Sequence, residues 1–284
     1  MKVLVTGATG FIGRHVVELL LKHQHEVIAV ARDIDKARSI DWFNNVKFVS
    51  CDLNEPDLDI SEILGIPDVL VHLAWSGLPN YKDLSHFEIN LPASYTFIKS
   101  MITAGTKHIL VAGTCFEYGM QNGQLSEDMP TFPVTPYGLA KDTLRKFLDS
   151  LQKQYDFLFQ WVRLFYMYGA GQNPNSLMAQ LDRAIDNKDK LFKMSGGEQL
   201  RDYMPIEEIA RRICFLIENP SIKGVINCCS GNPISVRSLV EKRIKEKNSD
   251  IKLDLGYYPY PDYEPMAFWG SSSKMPYPFN SCMF

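Results

Sequence analysis

The chain has 284 residues, of which 45% are hydrophobic and 22% are charged, and its formal net charge is −3. This composition is typical of a soluble globular protein with a large core, and it gives no sign of a basic surface for nucleic acid or for a membrane. We therefore expect the partners to be small molecules or a second copy of the chain.

The first apolar run and the cysteines indicate the compartment. The run begins at Val3 and is broken by Gly7, which leaves no room for a signal peptide, and no stretch approaches the ~20 apolar residues of a membrane span. The cysteines have no CxxC spacing and do not cluster with histidines, so we expect reduced thiols, no metal site and a cytoplasmic protein. They are Cys51, Cys115, Cys214, Cys228, Cys229 and Cys282.

Short β-branched runs alternate with amphipathic segments through the first part of the chain. This alternation predicts a parallel sheet, and continuously apolar runs indicate strands covered on both faces. We expect a Rossmann-type, doubly wound α/β fold, whose ligands bind at the carboxyl ends of the strands. The runs span residues 2–6, 26–30, 46–50, 68–74, 108–112 and 159–164.

The pattern loosens after about residue 165 and ends in a Pro- and aromatic-rich segment from Tyr257. We predict a nucleotide-binding domain at 1–165, with 203–230 returning to it. The remaining segments, 166–202 and 231–284, are predicted to form a small substrate-binding lobe.

The first strand leads directly into "GATGFIG", which places Gly7, Gly10 and Gly13 in the spacing GxxGxxG before a helical pattern. Glycines there permit a tight turn and let the backbone N–H groups of the helix start, around Phe11 and Ile12, approach a pyrophosphate. We predict a dinucleotide cofactor at this turn. The alternative is an ordinary connection between a strand and a helix.

The end of the second strand bears on the choice of dinucleotide. An NAD-specific fold usually places an acidic residue there, whereas this chain has Ala31 and Arg32. A guanidinium pairs well with a 2′-phosphate, so Arg32, alone or with Arg14, favours NADP(H) over NAD(H). Two alternatives stay open: Asp33 turns back to serve NAD(H), or Arg32 is only a solvated loop charge.

Two further stretches carry reactive groups. The strand "ILVAGTCFEYG" (109–119) ends in Thr114 and Cys115, either of which is a candidate reactive side chain. In "TPYGLAK", Thr135 suits a helix N-cap, so Tyr137 and Lys141 should share one helix face. A neighbouring ammonium and an oxidised nicotinamide both favour the phenolate, which makes a tyrosine useful in acid–base chemistry. The alternative is a surface helix with a packed tyrosine.

Together these motifs resemble the extended short-chain dehydrogenase/reductase family, also called NAD-dependent epimerases/dehydratases. Within it, the chain looks most like dTDP-4-keto-6-deoxyglucose reductases, which make surface-polysaccharide sugars. In that family the fifth strand ends in Ser or Thr four residues before a Tyr-Gly pair. Counting back from Tyr118 selects Thr114, so the resemblance implies Thr114, Tyr137 and Lys141 as catalytic residues, with Tyr137 and Lys141 also contacting the cofactor. Cys115 then lines the sugar pocket and is not a nucleophile.

The same comparison bears on the reaction, because sugar dehydratases of the family carry an Asp-Glu pair directly after the Thr. This chain has Cys115 and Phe116 there, which disfavours dehydration. Two pairs resemble cofactor-contacting positions: Asp52-Leu53 after the third strand and Leu73-Ala74 after the fourth. Both also fit ordinary strand ends.

Three more positions are implied to contact the substrate. Asn90 matches an Asn that supports the active site, although a polar helix residue is an equal alternative. Tyr166 stands where the family commonly has an Asn that contacts the sugar diphosphate. Arg201 matches an Arg that grips the diphosphate, unless it only pairs with Asp202.

The resemblance therefore implies NADPH-dependent reduction of the 4-keto group of a nucleotide-diphosphate 4-keto-6-deoxyhexose, with a dTDP sugar favoured. The alternative is a nucleotide-sugar 4-epimerase with tightly bound NAD, and a third reading is a non-catalytic NADP-binding protein. A homodimer is usual in the family. The segment "YPYPDYEP" (258–265) either stacks on a nucleotide base or covers the lobe.

Overall fold

Seven parallel strands form the central sheet of the protein. A computed structural model describes residues 1–55 and 63–275. The spatial order is β7-β6-β5-β4-β1-β2-β3, with β1 in the interior. The bounds are β1 (Lys2–Thr6), β2 (Glu26–Ala31), β3 (Lys47–Ser50), β4 (Val69–His72), β5 (His108–Thr114), β6 (Leu158–Leu164) and β7 (Gly224–Cys228).

Helices cover both faces of this sheet, as the continuously apolar strands predict. On one face Val17 and Ile213 belong to a core with the strands, and on the other Phe97 and Leu144 do so. The predicted Rossmann-type α/β fold is confirmed. The helices are α1 (Phe11–Lys22), α2 (Ile34–Arg38), α3 (Leu91–Ala104), α4 (Pro136–Leu151), α5 (Leu177–Asp186), α6 (Ile206–Glu218) and α7 (Val236–Glu246).

Single turns and π-helical geometry complete the helical structure. Phe43–Asn45 and Cys115–Tyr118 are 3₁₀ turns, and His86–Asn90 is a π-helical segment that leads into α3. Across residues 1–55 and 63–275, no helix is long and apolar enough to cross a membrane.

Among the described residues, the later part of the chain adds the edge strand of the central sheet and four separate pairs of short strands. The last sheet strand, β7, pairs in parallel with β6, so that Cys228 lies beside Leu164. A separate core containing Leu181 and Val240 holds α5 against α7. The short pairs are Leu200–Arg201 with Ile234–Ser235, Tyr203–Pro205 with Tyr166–Tyr168, Lys252–Asp254 with Leu191–Lys193, and Phe268–Gly270 with Gly123–Leu125.

The five described cysteines are free thiols, and four of them are buried. Cys282 and the end of the predicted lobe, 276–284, lie outside the described residues. The division into a domain and a lobe stays a prediction.

Candidate functional site

The glycine turn brings the start of α1 against the end of β4. Gly7 has φ +68°, and a Cβ there would lie 2.8 Å from the Ala74 backbone nitrogen. A Cβ at Gly13 would lie 2.2 Å from the Gly7 carbonyl oxygen. The Gly10 N–H donates to that carbonyl at 2.9 Å. Side chains are therefore excluded at the point where strand and helix meet.

A cleft of about 350 Å³ opens beside this turn, at the carboxyl ends of β1, β2 and β4. The side chains of Phe11 and Ile12 do not line it and pack against the core. Their backbone N–H groups belong to the first turn of α1, where no intrahelical acceptor exists. The cleft-lining residues that the sequence predicted are Gly7, Gly10, Arg32, Asp52, Leu53, Leu73, Ala74 and Asn90.

At the end of β2, the neighbouring charges have different roles. The Asp33 carboxylate accepts a hydrogen bond from the Lys36 N–H at 2.9 Å and caps α2. The Arg32 side chain is 62% exposed and lies 3.9 Å from the Asp52 carboxylate. Arg14 is not part of the cleft lining, because its guanidinium packs against Gly171, where an added Cβ would lie 2.4 Å from its Nη1. Arg32 is thus the guanidinium at the cleft.

Helix α4 begins as the sequence predicts. The Thr135 hydroxyl accepts a hydrogen bond from the Gly138 N–H at 3.1 Å, and Pro136 takes the first helical position. This start places Tyr137 and Lys141 on one buried face of the helix. The Tyr137 N–H also donates to the Tyr81 carbonyl at 3.1 Å, which ties α4 to the loop after β4.

Lys141 is 2% exposed, and its ammonium donates to the Ala112 carbonyl of β5 at 2.8 Å. Its Nζ lies 3.9 Å from the centre of the Trp75 ring, and Trp75 lines the cleft. Burial lowers the pKa of Lys141 to about 7, although the nearby Glu117 carboxylate acts in the opposite direction. The charge of Lys141 therefore responds to small changes in its surroundings.

Tyr137 is buried among aromatic side chains. Its ring lies 5.5 Å from that of Tyr81 and 6.1 Å from that of Phe116, measured between centroids. Burial raises the pKa of Tyr137, and Tyr81 adds to the rise, whereas a hydrogen bond with Thr114 opposes it. The shift is opposite to the one toward the phenolate that the sequence predicted, because burial outweighs any effect of the neighbouring ammonium.

Thr114 is held by a buried carboxylate that sequence reasoning missed. Its N–H donates to Glu117 Oε1 at 2.8 Å, and its hydroxyl accepts from the Phe116 N–H at 3.3 Å. Glu117 is fully buried and also accepts from Arg163 at 2.7 Å and Trp161 at 2.9 Å. The Thr-x-x-Glu spacing is a capping box, so the sequence did carry a signal for it.

Cys115 follows Thr114 and is 4% exposed. Burial raises the pKa of its thiol, and the Glu264 carboxylate raises it further. A thiol with a raised pKa is protonated at neutral pH and is a poor nucleophile. The geometry therefore disfavours the nucleophile reading that the strand end raised.

Asn90 organises the loop after β4. Its Oδ1 accepts a hydrogen bond from the Ser76 hydroxyl at 2.7 Å, and its Nδ2 donates to the Ser76 carbonyl at 3.2 Å. The neighbouring Trp75 indole donates to His86 Nδ1 at 3.1 Å. Asn90 thus supports the cleft wall, together with Trp75 and His86, which the sequence analysis did not single out.

Arg201 does not pair with Asp202, which accepts instead from the N–H groups of Ser230 and Gly231 at 2.7 and 2.8 Å. The alternative reading of an Arg201–Asp202 pair was therefore wrong. The Arg201 guanidinium donates to the Glu264 carboxylate at 2.9 Å. The group predicted to grip a diphosphate already has an anionic partner in this structure.

The segment that follows Tyr257 reaches the tip of β5. The ring of Tyr263 lies 5.8 Å from that of Tyr81 and 6.1 Å from that of Phe116. Tyr166 completes this aromatic group, with its ring 6.5 Å from Phe116. The segment therefore covers the space beside Tyr137, while Tyr257 itself is exposed.

A separate polar group lies at the far end of α1. Among the described residues, His23, His25 and Glu218 are the one group of three whose potential metal-ligating atoms lie within 4.8 Å of one another. Both imidazoles donate to the same Glu218 oxygen, at 2.7 and 3.0 Å. Burial acts to raise the pKa of Glu218, but the hydrogen bonds from the two imidazoles outweigh it and hold this pKa below its usual range. The group ties α1 and β2 to α6.

Comparison with known proteins identifies the family. The sequence model of the NAD dependent epimerase/dehydratase family matches residues 3–229. The chain belongs to this family. It is thus an enzyme of the oxidoreductase and epimerase type, as the resemblance implied.

Individual relatives agree with this assignment. Over 276 residues the chain is 34% identical to dTDP-6-deoxy-L-talose 4-dehydrogenase (NAD(+)) of Aggregatibacter actinomycetemcomitans. This alignment covers 95% of this chain and 100% of the relative. Over 256 residues it is 26% identical to dTDP-4-dehydro-6-deoxyglucose reductase of Escherichia coli. That alignment covers 84% of this chain and 79% of the relative.

A solved structure matches in fold as well. It is UDP-N-acetylglucosamine 4-epimerase from Methanobrevibacter ruminantium M1 in complex with UDP-N-acetylmuramic acid. The TM-score is 0.83 at 26% identity, with 94% of this chain and 88% of that chain covered. Homologues of this protein thus include nucleotide-sugar dehydrogenases, reductases and epimerases, and the family as a whole is described as NAD dependent.

Proposed function

We propose that the protein reduces the 4-keto group of a nucleotide-diphosphate 4-keto-6-deoxyhexose, with a dTDP sugar as the favoured substrate. The observation that carries this proposal is a buried Tyr137 on the same face of α4 as the buried Lys141, one helical turn away, and beside the end of β5 that bears Thr114. The cofactor supplies hydride from its nicotinamide when bound. Tyr137 donates the proton to the developing alkoxide, and Thr114 hydrogen-bonds the same oxygen.

Lys141 binds the nicotinamide ribose and adjusts the pKa of Tyr137 in this proposal. Its ammonium is anchored on the Ala112 carbonyl and faces the Trp75 ring at the cleft wall. The glycine turn at Gly7 and the N–H groups at the start of α1 would hold the pyrophosphate. In this proposal these elements would hold the cofactor with its nicotinamide toward Tyr137.

Dehydration is disfavoured by the same geometry. The positions directly after Thr114 hold a buried thiol and a phenyl ring, neither of which transfers a proton usefully at neutral pH. The Glu117 carboxylate, three positions after Thr114, is engaged by Arg163 and Trp161. The positions directly after Thr114 therefore provide neither an acid nor a base for the elimination of water.

The dTDP-sugar preference is supported by the Aggregatibacter relative, whose name describes oxidation at C4 of a dTDP-6-deoxyhexose. Oxidation at C4 is the reverse of the reduction proposed here. We also propose a preference for NADP(H), because Arg32 stands at the cleft and the carboxylate of Asp33, which lines the same cleft, is engaged in capping α2. NAD(H) is the competing cofactor, named for the family and for that relative.

The test is to mix purified protein with NADPH, or separately NADH, and a panel of nucleotide 4-keto-6-deoxysugars while following the absorbance of the reduced nicotinamide. Stoichiometric consumption with one dTDP sugar is expected. Consumption with none of the sugars, by protein that binds the cofactor, would contradict the proposal and favour a non-catalytic NADP-binding role.

A 4-epimerase is the second candidate, supported by the epimerase of similar fold. An epimerase uses the same Thr, Tyr and Lys but retains its cofactor through the cycle. Protein that arrives from purification with bound NAD, and interconverts nucleotide hexoses without net consumption of cofactor, would replace the reductase assignment.

We further propose a homodimer formed through α3 and α4. Phe147 on α4 is 46% exposed, and its ring lies 5.5 Å from that of Tyr95 on α3. Leu139 on α4 is also exposed. Light scattering on the protein and on Phe147→Glu tests this, because a charge in an apolar helix interface should shift the mass toward the monomer.

A further inference from the structure

A group of two imidazoles and one carboxylate lies at the edge of the sheet opposite the cleft. It consists of His23, His25 and Glu218, whose potential metal-ligating atoms all lie within 4.8 Å of one another. His25 directly precedes the first residue of β2, so the group stands at the amino end of that strand. The cleft opens at the carboxyl ends of the strands. The group therefore takes no part in the reaction proposed above.

The turn at the end of α1 brings the two imidazoles together. The Gln24 N–H donates to the Leu21 carbonyl at 2.9 Å, and the His25 N–H donates to the Leu20 carbonyl at 3.0 Å. This pair of bonds is a Schellman motif, which places a residue of left-handed conformation just after the helix. Gln24 is that residue, with φ +63°. The chain turns at Gln24, and the rings of His23 and His25 lie 6.4 Å apart between centroids.

The third member of the group comes from α6. Glu218 is the last residue of that helix, and its Oε1 lies 2.7 Å from His23 Nδ1 and 3.0 Å from His25 Nε2. Tetrahedral zinc with bonds of ~2.0–2.1 Å holds its ligand atoms ~3.3 Å apart. Both N–O distances reach this spacing with a shift of under ~1 Å, and the two nitrogens are at most 4.8 Å apart. The group is thus close to a coordination geometry as it stands.

Two helix ends add a field that favours a cation at this point. His23 caps the carboxyl end of α1, and Glu218 ends α6. The carboxyl end of a helix carries a partial negative charge from its last carbonyl groups, and this charge stabilises nearby cations. The terminal nitrogen of Met1, 3.3 Å from His25 Nδ1, acts in the opposite direction. Met1 is 48% exposed and can turn away into solvent.

The donor set indicates which metal suits the group. Imidazole nitrogens with one carboxylate suit Zn²⁺, whereas Mg²⁺ and Ca²⁺ prefer oxygen ligands. A change of tautomer turns the ring nitrogens that face Glu218 from donors into ligands. The side chains of His23 and His25 are 19% and 10% exposed, and that of Glu218 is 33% exposed. The fold therefore holds the imidazoles, while the carboxylate side leaves a path from solvent.

We propose that His23, His25 and Glu218 bind one Zn²⁺ ion, with His23 Nδ1, His25 Nε2 and a Glu218 oxygen as ligands and water in the fourth position. The cysteine spacing led us to expect no metal site, and this site contains no cysteine. The ion ties the turn between α1 and β2 to the end of α6. It stabilises the fold and does not depend on the proposed reaction.

The test is calorimetric titration of the full chain, without a histidine tag and after treatment with a chelator, with ZnCl₂. We expect one equivalent of Zn²⁺ to bind. At ~100-fold excess of free Zn²⁺ over its Kd, Tm should rise by ~5 °C, because the ion binds the folded protein. MgCl₂ should leave Tm unchanged. Co²⁺ added in place of Zn²⁺ should give the visible absorption of a four-coordinate site.

Two variants remove one ligand each. His25→Gln and Glu218→Gln should weaken Zn²⁺ binding by at least ~10-fold, since even groups that only support a ligand are worth that much. Glu218→Gln keeps an oxygen that accepts the imidazole hydrogen bonds, so the fold is retained while the anionic ligand is lost. His15→Gln is the matched control, because that imidazole also lies on α1 but contacts the Ala170 carbonyl at 3.0 Å. It should bind Zn²⁺ as the wild type does.

Two results would overturn the proposal. One is that the wild-type chain binds no Zn²⁺. The other is binding that His25→Gln and Glu218→Gln both leave unchanged, which would place the ion elsewhere, for example on the half-buried thiol of Cys51. A protein that binds Zn²⁺ through these ligands but reduces no sugar keeps this inference and removes the proposed reaction.

Discussion

The ammonium of Lys141 lies 3.9 Å from the centre of the Trp75 ring, and Trp75 lines the same cleft as the glycine turn. A cation held over an indole face is stabilised by the ring's charge distribution. Any ligand that reaches Lys141 from the cleft must therefore meet the indole. We therefore expect the environment of Trp75 to change when a ligand enters the cleft.

The indole predicts a fluorescence response to cofactor binding. Binding of oxidised cofactor should change tryptophan emission, and Trp75→Phe should lose most of that change because the indole at the cleft is gone. Trp42→Phe is the control, since Trp42 is buried and donates to the Arg14 carbonyl outside the cleft. An equal response in Trp75→Phe would mean that the cofactor does not approach this wall.

The buried charge of Lys141 predicts a gain in stability when it is removed. Burial lowers the folded-state pKa to about 7 from an ordinary 10.5. The penalty for a buried ammonium is therefore complete below pH 7 and fades between pH 7 and 10.5. Lys141→Met should raise Tm at pH 6 by ~5 °C, with a smaller gain at pH 9.

Calorimetric scans at the two pH values measure this difference, and activity provides the second reading. Lys141→Met should lose turnover while it gains stability, a combination typical of a functional buried charge. A loss of stability at pH 6 would indicate that the ammonium is a structural anchor for β5.

Tyr137→Phe should lower turnover by ~10²–10⁴-fold, because the variant lacks the proton donor. Cofactor affinity should change little, since the ring and its aromatic contacts remain. Steady-state kinetics and cofactor titration measure the two effects. Tyr118→Phe is a matched control, because the Tyr118 phenol is also buried but is already engaged as a donor to Asn227 at 2.8 Å. Undiminished turnover in Tyr137→Phe would remove its assigned role.

Arg32→Ala should weaken NADPH binding by ~10-fold and leave NADH binding nearly unchanged, because only NADPH carries the 2′-phosphate that a guanidinium pairs with. Arg38→Ala is the control: Arg38 is exposed, pairs with Asp35 at 3.1 Å and does not line the cleft. If both cofactors lose affinity equally, Arg32 contributes only a general positive charge, and the NADP(H) preference is wrong.

Glu117→Gln should destabilise the fold by ~3–5 kcal/mol, because it leaves the buried Arg163 without its counter-charge. Denaturant unfolding measures the loss. For comparison, Glu18→Gln removes an exposed partner of Lys22 and should cost under ~1 kcal/mol. A similar small cost for Glu117→Gln would show that the buried pair is not needed to hold the strand end.

The fold and half of the site follow from local pattern. Apolar runs located the strands, glycine spacing located the turn at Gly7, and the Thr135-Pro136 pair located the start of α4. Each of these signals lies within a few residues of the structure it specifies. The cleft wall at Leu73 and Ala74 was predicted differently, from the family resemblance.

The rest depends on contacts that no local pattern encodes. Trp75 meets Lys141 only because α4 packs beside the loop after β4. Glu264 meets Arg201 across 63 positions of sequence. A family motif therefore identified Arg201 but could not reveal its anionic partner. Glu117 differs from Glu264, because the Thr-x-x-Glu spacing of its capping box with Thr114 is a local signal in the sequence.

The cleft and the aromatic space beside Tyr137 are encoded in different parts of the chain. Among the described residues, those that line the cleft lie between Thr6 and Ser94, whereas Tyr263 closes the aromatic space. During synthesis, this lining is therefore complete long before the segment that contains Tyr263 is added. Substitutions near Tyr263 can consequently reshape the aromatic space without altering the lining of the cleft.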